Sequence, residues 1–383
     1  MSSPPSAPPS PPQVLLRSGG TAYEFVKSLG PAHHGELVLA RRRHDGDFSG
    51  YAVIKRPLPT APEESPRRLL EEGRLAARLH HPNLVSVHHL KGPAEAPVLV
   101  FEHTPGYRLD TLLEASRRAR LPISEAFALY VTAEVADALH HAHNLADEHG
   151  RALGVVHRDV GPHNILLTEH GAVKLMDFGA AWSLLPGRVI TEDGQLQGSL
   201  AYAAPEHVAR LPLDARADVY SLGVVLLQLL TGHHLFEGAD RFEAELRRRR
   251  ERALATPFAA SADVMLEAAL HAAVSLAAAT ALAGRILAYG AADLDEATRA
   301  VPASLLPLVR KALAPDRVER FGTAAELARA ARQQLREVHP AFGRPEALAE
   351  LTGLRYAALR VQAGESPEEA LEDRLLPDDE FNT

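Results

Sequence analysis

The spacing of apolar residues changes near Phe101, and this change constrains the fold more than any other feature of the chain. Before that point, short β-branched and aromatic runs separated by Gly, His and Asp are typical of strands. Five such runs are Tyr23–Leu29, Glu36–Ala40, Tyr51–Lys55, Val85–Leu90 and Val98–Phe101. One helix-like stretch, Pro66–Leu79, lies among them and is followed by the helix-stopping Pro82. This pattern predicts a small α+β lobe.

Beyond Phe101 the pattern is helical. Four apolar residues recur at every fourth position and form one face of a long helix: Phe127, Val131, Val135 and Leu139. A second stretch, Asp214–Thr231, is apolar nearly all round and ends at Gly232, as expected of a buried helix. Two more helices are predicted at Leu305–Ala314 and Thr323–Leu335. We therefore predict a second lobe that is a helical bundle around a buried central helix.

Composition excludes several classes of function. The chain of 383 residues has a formal net charge of −8, which argues against chain-wide electrostatic binding of nucleic acid. It has no Cys, so disulfides, thiolate metal sites and Cys nucleophiles are excluded, and a reducing, cytoplasmic location is expected. The most apolar stretch, Ala268–Gly284, is short and mostly Ala, so we predict a packed helix and no membrane partner.

Changes in composition also divide the chain into segments. Residues 1–20 are rich in Pro and Ser, lack the basic start and apolar core of a signal peptide, and are predicted to form a disordered tail. Residues 21–103 form the first lobe and residues 104–338 the second. Within the second lobe, residues 239–300 are rich in Ala and Arg and helical in propensity. Residues 339–383 are weakly patterned, end in an acidic stretch and form a C-terminal extension.

The most specific signal is a set of polar motifs at fixed intervals. Asn164 follows the Asp of His157-Arg158-Asp159 by five residues, and Asp177-Phe178-Gly179 begins thirteen residues later. The other members are Ala52-Val53-Ile54-Lys55 at a strand end, Glu72 on the next helix, Ala204-Pro205-Glu206, and Asp218 at the start of the buried helix. In order, spacing and secondary-structure context, the set resembles the protein-kinase signature, and in particular bacterial Ser/Thr protein kinases of the eukaryotic type. The resemblance covers Tyr23 to Leu335.

This resemblance implies a two-lobed protein-kinase-like fold of the α+β class, with a small β-rich N-lobe and a larger helical C-lobe. It implies ATP and Mg²⁺ as cofactors, and Ser or Thr hydroxyls of protein substrates, including the chain itself, as phosphate acceptors. Lys55 is expected to bind the α- and β-phosphates and to pair with Glu72. The register against His80-His81-Pro82-Asn83 favours Glu72 over its neighbour Glu71 as this partner.

The remaining site residues follow from the same resemblance. Asp159 is expected to accept or orient the proton of the attacking hydroxyl, and Asn164 and Asp177 to hold Mg²⁺, a hard cation that prefers oxygen ligands. The expected nucleotide-binding residues are Gly30, Ala32, Gly35, Leu37, Ala52, Lys55, Phe101, Glu102 and Thr104. Phe101 is expected to be the bulky residue at the back of the adenine pocket.

The resemblance also implies regulatory and structural residues. Arg158 is expected to meet a phosphorylated residue of the following loop, because guanidinium pairs well with phosphate. Thr191, in the middle of that loop, is the candidate. Ser199 stands where the family often has a Thr that contacts the catalytic Asp. The residues expected to be structural are Glu206 and Arg320, as a buried ion pair, and Asp218.

Two positions depart from the family pattern. The second glycine of the Gly-rich loop is Ala32, whose methyl group makes close backbone approach to phosphate harder. The family usually has a Lys two residues after the catalytic Asp, and this chain has Gly161 there. Loss of one such electrostatic contact typically lowers the rate by about 10²–10³. Our hypothesis is that a protonated His163 partly substitutes for this Lys.

Three alternatives stay open at the level of the sequence. Gly161 and Ala32 favour a pseudokinase that binds nucleotide or partners without turnover, whereas the intact Lys55, Asp159 and Asp177 favour activity. A small-molecule phosphotransferase on the same fold is disfavoured by the Ala204-Pro205-Glu206 motif and the long loop before it, which are typical of a protein-substrate platform. Finally, the segment 239–300 either packs on the second lobe or provides a partner surface.

Overall fold

The structure is a computed structural model. It describes residues 13–32, 35–58, 64–185, 198–236, 238 and 276–363. The chain divides into two compact units, and each has its own core. The first comprises Met1–Ala77 and Ser86–His103, and the second comprises Arg78–Val85 and Thr104–Thr383.

The first unit is an antiparallel sheet with one helix. Its strands are β1 (Val14–Ser18), β2 (Thr21–Ala32), β3 (Gly35–His44), β4 (Asp47–Arg56), β5 (Val87–Lys91) and β6 (Val98–Glu102), in the order β1-β2-β3-β4-β6-β5. Helix α1 (Ser65–Ala76) begins with Pro in its first turn, which is favourable because the missing N–H has no helical acceptor there. The core consists of inward-facing side chains of β2, β3, β4 and β6: Tyr23, Val38, Ala40, Ala52, Ile54 and Val100.

Strand β1 corrects the expectation for the N-terminal tail. The run Val14–Ser18 pairs with β2, and Leu16 packs against the core. A two-glycine turn at Gly19 and Gly20, both with positive φ, reverses the chain. The strand is only five residues long and only its first three residues are apolar, and the Pro- and Ser-rich composition before it hid this strand signal. Residues 1–12 lie outside the described residues.

The second unit is mainly helical. Its helices are α2 (Leu109–Ala119), α3 (Glu125–His143), α4 (Pro205–Val208), α5 (Arg216–Thr231), α6 (residues 276–287), α7 (Ala291–Ala297), α8 (Leu306–Ala312), α9 (Ala324–Val338) and α10 (Arg344–Gln362). A small antiparallel sheet, β7 (Gly106–Arg108), β8 (Ile165–Thr168) and β9 (Val173–Leu175), carries the motifs between α3 and α4.

The core of the second unit forms where α3 and α5 pack together. The predicted apolar face of α3 is fully buried: Phe127, Val131, Val135 and Leu139. Helix α5 is buried all round from Ala217 to Leu229 and ends at Gly232 in the left-handed conformation. Gly223 permits close packing against α8, because a Cβ there would lie 2.9 Å from the Cβ of Ala312. The prediction of a buried central helix is confirmed.

The described end of the 239–300 segment is packed. Residues 239–275 lie outside the described residues, whereas α6 and α7 lie inside them. Tyr289, between these helices, meets Tyr220 of α5 edge-on at 5.9 Å between ring centroids and Phe236 at 5.8 Å. Its hydroxyl donates to the carbonyl of Leu313 at 2.9 Å. This part of the segment is therefore held on the second unit by an aromatic cluster.

The C-terminal extension is more ordered than its weak pattern indicated. Helix α10 buries one face against α2, through Ala347, Leu351, Leu354 and Ala357. These residues recur at intervals of three and four, but two of the four are Ala, so the apolar signal is faint. Residues 364–383 lie outside the described residues. Within the described ranges, no helix combines the length and the apolar character needed to cross a membrane.

Candidate active site

A buried ion pair joins β4 to α1 in the first unit. Lys55 lies near the end of β4, and its Nζ donates to both carboxylate oxygens of Glu72, at 2.8 and 2.7 Å. Both side chains are only 2% exposed. Glu72 shares the inner face of α1 with Leu69 and Leu75, each three residues away. Because an unpaired charge at this depth would be strongly destabilising, each group depends on the other.

The described part of the segment expected to cover phosphates lies at the end of β2 and the start of β3. Gly30 has a φ of +107°, a conformation that favours glycine. Ala32 pairs directly with Gly35 across the hairpin. A Cβ on Gly35 would lie 2.2 Å from the carbonyl oxygen of Arg56, so only glycine lets β3 start this close to the end of β4. Residues 33–34, between the two strands, lie outside the described residues.

The sheet also carries other residues expected to bind the nucleotide. They are Leu37 on β3, Ala52 on β4, and Phe101 and Glu102 on β6. Ala52 is fully buried and lies opposite Glu102, whose carboxylate accepts from the backbone N–H of Ser86 at 2.9 Å. Thr104 begins the second unit, and its buried hydroxyl has no hydrogen-bond partner among the described residues.

In the second unit, Asp159 has a carboxylate held at both oxygens. The residue is 2% exposed. Its Oδ1 accepts from the backbone N–H of Ser199 at 2.6 Å, and its Oδ2 accepts from Nδ2 of Asn164 at 2.7 Å. The Nε2 of His163 lies 3.3 Å from the same Oδ2. Donors from two parts of the chain thus fix the orientation of this carboxylate.

Asn164 and Asp177 lie at neighbouring ends of β8 and β9. The backbone carbonyl of Asn164 accepts from the N–H of Met176 at 2.9 Å, immediately before Asp177. The amide nitrogen of Asn164 donates to Asp159, so its amide oxygen is the atom left to face a cation. Asp177 has a φ of +62°, a strained conformation for a non-glycine residue, and accepts from the N–H of Gly179 at 3.1 Å. An amide and a carboxylate oxygen suit Mg²⁺.

His157 links its own motif, His157-Arg158-Asp159, to the residue before the Asp177-Phe178-Gly179 motif. Its Nδ1 accepts from the backbone N–H of Asp159 at 3.2 Å, and its Nε2 lies 3.1 Å from the carbonyl oxygen of Met176, as required of a neutral ring protonated at Nε2. Burial lowers the pKa of His157, which favours this neutral form. Its ring also meets Phe178 edge-on at 4.6 Å. The sequence motif by itself indicates no separate role for His157.

Asp218 holds the backbone of the same loop. Its two oxygens accept from the N–H groups of His157 and Arg158, at 2.8 and 2.9 Å. The Nε2 of His143 lies 2.8 Å from Oδ2. Burial alone would raise the pKa of Asp218, but the hydrogen bond and charge of His143, with His157, lower it below its ordinary value. His143 was also missed, because its position in the last turn of α3 gives no sign of a contact 75 residues away.

Arg158 binds the chain that follows Gly179. Its guanidinium donates to the carbonyl of Ala180 at 2.7 Å and to that of Ala181 at 3.3 Å. Its own φ is +65°, in the left-handed region. Thr191, the residue predicted to meet Arg158 after phosphorylation, lies outside the described residues, so the regulatory pairing stays a prediction.

Ser199 contacts Asp159 through its backbone. The N–H is the donor, whereas the buried Ser199 hydroxyl has no hydrogen-bond partner in the described part of the chain. The preceding Gly198 has a φ of +89°, and a Cβ there would lie 2.3 Å from the carbonyl oxygen of Arg158. Glycine is therefore required for this loop to approach the backbone at Arg158.

Glu206 and Arg320 form a buried two-point ion pair, at 2.7 and 3.0 Å. The guanidinium also donates to the carbonyl of Ala314 at 2.8 Å and lies 4.7 Å from the centre of the Tyr220 ring. Next to Glu206, burial and then the charge of Arg158 lower the pKa of His207 to about 4. The predicted pairing of Glu206 with Arg320 is thus present.

Comparisons with known proteins find similarity to protein kinases. Tyrosine-protein kinase MasK of Myxococcus xanthus is 35% identical over 212 residues, which cover 55% of this chain and 32% of MasK. Serine/threonine-protein kinase PknB of Mycolicibacterium smegmatis is 34% identical over 222 residues, covering 56% of this chain and 33% of PknB. The chain thus spans only about a third of the length of these two relatives.

The fold is shared with a solved structure. The PknI kinase domain of Mycobacterium tuberculosis superposes with a TM-score of 0.51 at 24% identity, covering 83% of this chain and 98% of that domain. The family model described as the protein kinase domain matches residues 23–333, most of the sequence. This chain, with its β-rich first unit and helical second unit, belongs to the protein kinase domain family.

Proposed function

We propose that the chain is a protein kinase that transfers the γ-phosphate of ATP to Ser or Thr hydroxyls of proteins, including its own. The observation that carries this proposal is the Asp159 carboxylate, which is buried and held at both oxygens by Ser199 and Asn164. A carboxylate with a purely structural role requires only its hydrogen-bond or ion-pair partners. A carboxylate whose orientation is fixed beside an amide that can bind a cation is also suited to proton transfer. Family membership and the Ser/Thr kinase relatives support the same conclusion.

Each site residue has a defined task in this proposal. Lys55, held by Glu72, neutralises the α- and β-phosphates, and the hairpin tip around Gly30 covers them. Asn164 and Asp177 hold Mg²⁺, which supplies charge neutralisation on the phosphate oxygens when bound. The acceptor oxygen forms a bond to the γ-phosphorus while the bond to the β–γ bridging oxygen breaks, and ADP keeps that electron pair. Asp159 accepts or orients the hydroxyl proton.

The nature of the acceptor hydroxyl belongs to the proposal as well. PknB and PrkC are named serine/threonine-protein kinases, whereas MasK is named a tyrosine-protein kinase. Two of these three relatives are named for Ser/Thr phosphorylation, and this favours Ser/Thr acceptors. Identification of the phosphorylated residues after self-modification decides between aliphatic and phenolic hydroxyls.

The test is mass spectrometry of the purified chain after incubation with Mg²⁺–ATP. We expect phosphate on Ser or Thr in the wild type and none in Asp159→Asn or Asp177→Ala. Asp295→Asn, at a side chain 62% exposed on α7, is the matched control and is expected to behave as wild type. A wild-type chain that binds Mg²⁺–ATP but phosphorylates neither itself nor a generic protein would overturn the proposal and leave a nucleotide-binding pseudokinase.

A further inference from the structure

The His163 ring fills the space over Gly161. A Cβ built on Gly161 would lie 2.6 Å from Cε1 and 2.8 Å from Nδ1 of His163, and 3.2 Å from Cδ2 of Tyr202. Contacts below about 3 Å require one group to move, because protein interiors are close-packed. A side chain at position 161 and the imidazole in its present place therefore exclude each other.

The backbone gives no reason for a glycine at this position. Gly161 has a φ of −161° and a ψ of 167°, an extended conformation that any residue adopts. This distinguishes it from Gly198, whose φ of +89° favours glycine by itself. The neighbouring imidazole is thus what makes Gly161 necessary.

The position of the imidazole over Gly161 places Nε2 of His163 close to the Asp159 carboxylate. The imidazole is 10% exposed, and its Nε2 lies 3.3 Å from Oδ2 of Asp159, the oxygen that also accepts from Asn164. With Nε2 protonated, the ring donates to that oxygen. The Nδ1–Cε1 edge of the ring, next to Nε2, faces Gly161. A bulkier residue at position 161 would displace the ring from its present place and so disturb its contact with the carboxylate.

We propose that His163 is a positioning residue for Asp159, and that position 161 is glycine so that the imidazole can reach the carboxylate. The kinetic part of this inference rests on the proposed kinase function, whereas the packing part does not. Gly161 and His163 then act as one unit, and their substitutions have coupled effects.

The kinetic test distinguishes the effect of the His163 hydrogen bond on the rate from the effect of the ring's volume. His163→Phe fills a similar space without a donor, and His163→Gln offers an amide N–H. We expect kcat for self-phosphorylation or a generic substrate to fall about tenfold in His163→Phe, with KM for ATP changed less than about twofold. His163→Gln recovers most of this loss. His149→Phe, at a side chain 68% exposed, is the control. A wild-type kcat in His163→Phe, or equal losses in both variants, overturns the positioning role.

The packing test uses thermal unfolding of the full chain. Gly161→Ala is expected to lower Tm by about 3 °C when His163 is present, and to have little effect in a His163→Ala background, where the ring no longer occupies the space. Equal shifts in the two backgrounds contradict the coupling.

The two tests distinguish a failure of the proposed function from a failure of the packing inference. A wild-type chain without phosphotransfer overturns the proposed function and the kinetic role of His163 together. The coupling between positions 161 and 163 is then still measured by unfolding, and additive shifts overturn it independently.

Discussion

At the scale of single residues, the Glu206–Arg320 pair of the second unit depends closely on the geometry of both side chains. Both side chains are buried, and the guanidinium makes a two-point contact as well as a bond to a backbone carbonyl. Removal of one partner would leave the other as an uncompensated buried charge. The planar fork of Arg matches this geometry, whereas a Lys ammonium reaches fewer of the same acceptors.

We therefore expect Arg320→Ala to lower the free energy of unfolding by about 3–5 kcal/mol, and Arg320→Lys to recover only part of this. Guanidinium chloride denaturation measures both. Arg299→Ala, whose side chain is 75% exposed, is the matched control and is expected to stay within about 0.5 kcal/mol of wild type. Similar midpoints for Arg320→Ala and wild type would show that the pair contributes little.

At the scale of elements, α10 extends the second unit beyond residue 333, where the family match ends. Glu350 accepts from both the backbone N–H and the hydroxyl of Ser124, at 2.8 and 2.6 Å. Ser124 is the N-cap of α3, so α10 supports the start of this core helix. The guanidinium of Arg355 also lies 3.6 Å from the centre of the Tyr107 ring on β7.

The capping contact gives a specific prediction. Glu350→Ala is expected to lower the free energy of unfolding by about 1 kcal/mol, as is usual for loss of a helix-capping interaction at an exposed site. Glu337→Ala, the same substitution at an exposed position on α9, is the matched control and is expected to have little effect. Urea denaturation distinguishes them, and equal midpoints for the two variants would argue against a role for Glu350.

Removal of the whole helix tests its contribution to the unit. Truncation after Val338 removes Leu351 and Leu354, which are 1% exposed. Burial of a Leu side chain contributes about 1.5–3 kcal/mol, so we expect a loss of roughly 3–6 kcal/mol from these two side chains. A truncated chain that unfolds at the wild-type denaturant concentration would show that α10 is dispensable for stability.

At the scale of the whole molecule, histidines whose pKa is lowered by partial or complete burial predict sensitivity to acid. Five described histidines have a lowered pKa, chiefly through burial: His81, His88, His141, His157 and His207. Each binds its proton more weakly in the folded than in the unfolded chain. Their contribution to stability is therefore complete above the unfolded pKa of about 6.5 and is lost as the pH falls toward the folded value.

His207 makes this prediction quantitative, because its folded pKa is about 4. Between pH 6.5 and pH 5 the excess of protons that the unfolded state binds at this residue rises from about half a proton to nearly one, which corresponds to about 1.5 kcal/mol of lost stability. We expect the free energy of unfolding of His207→Gln to fall less steeply over this range than that of wild type. Parallel profiles for the two proteins would show that His207 does not titrate in this way.

Local sequence signals determined much of the secondary structure and the candidate site of this protein. Periodicity indicated the strands and the two core helices, because side chains alternate in strands and recur every third or fourth residue in helices. The spacing of Asp159, Asn164 and Asp177 indicated the family and the candidate site. Strand β1 and helix α10 were missed because a five-residue run and an Ala-rich face give weak periodic signals.

Only the tertiary structure decided the contacts that no sequence motif marks. Asp218 holds the loop at Arg158 across 60 residues of sequence, and Glu350 meets Ser124 across 226. The same is true of positions that are close in sequence. Whether a Cβ at position 161 would clash with His163 depends on the orientation of the His163 ring. Contacts of this kind follow from packing in three dimensions, and sequence periodicity carries no information about them because it records only which face a residue occupies.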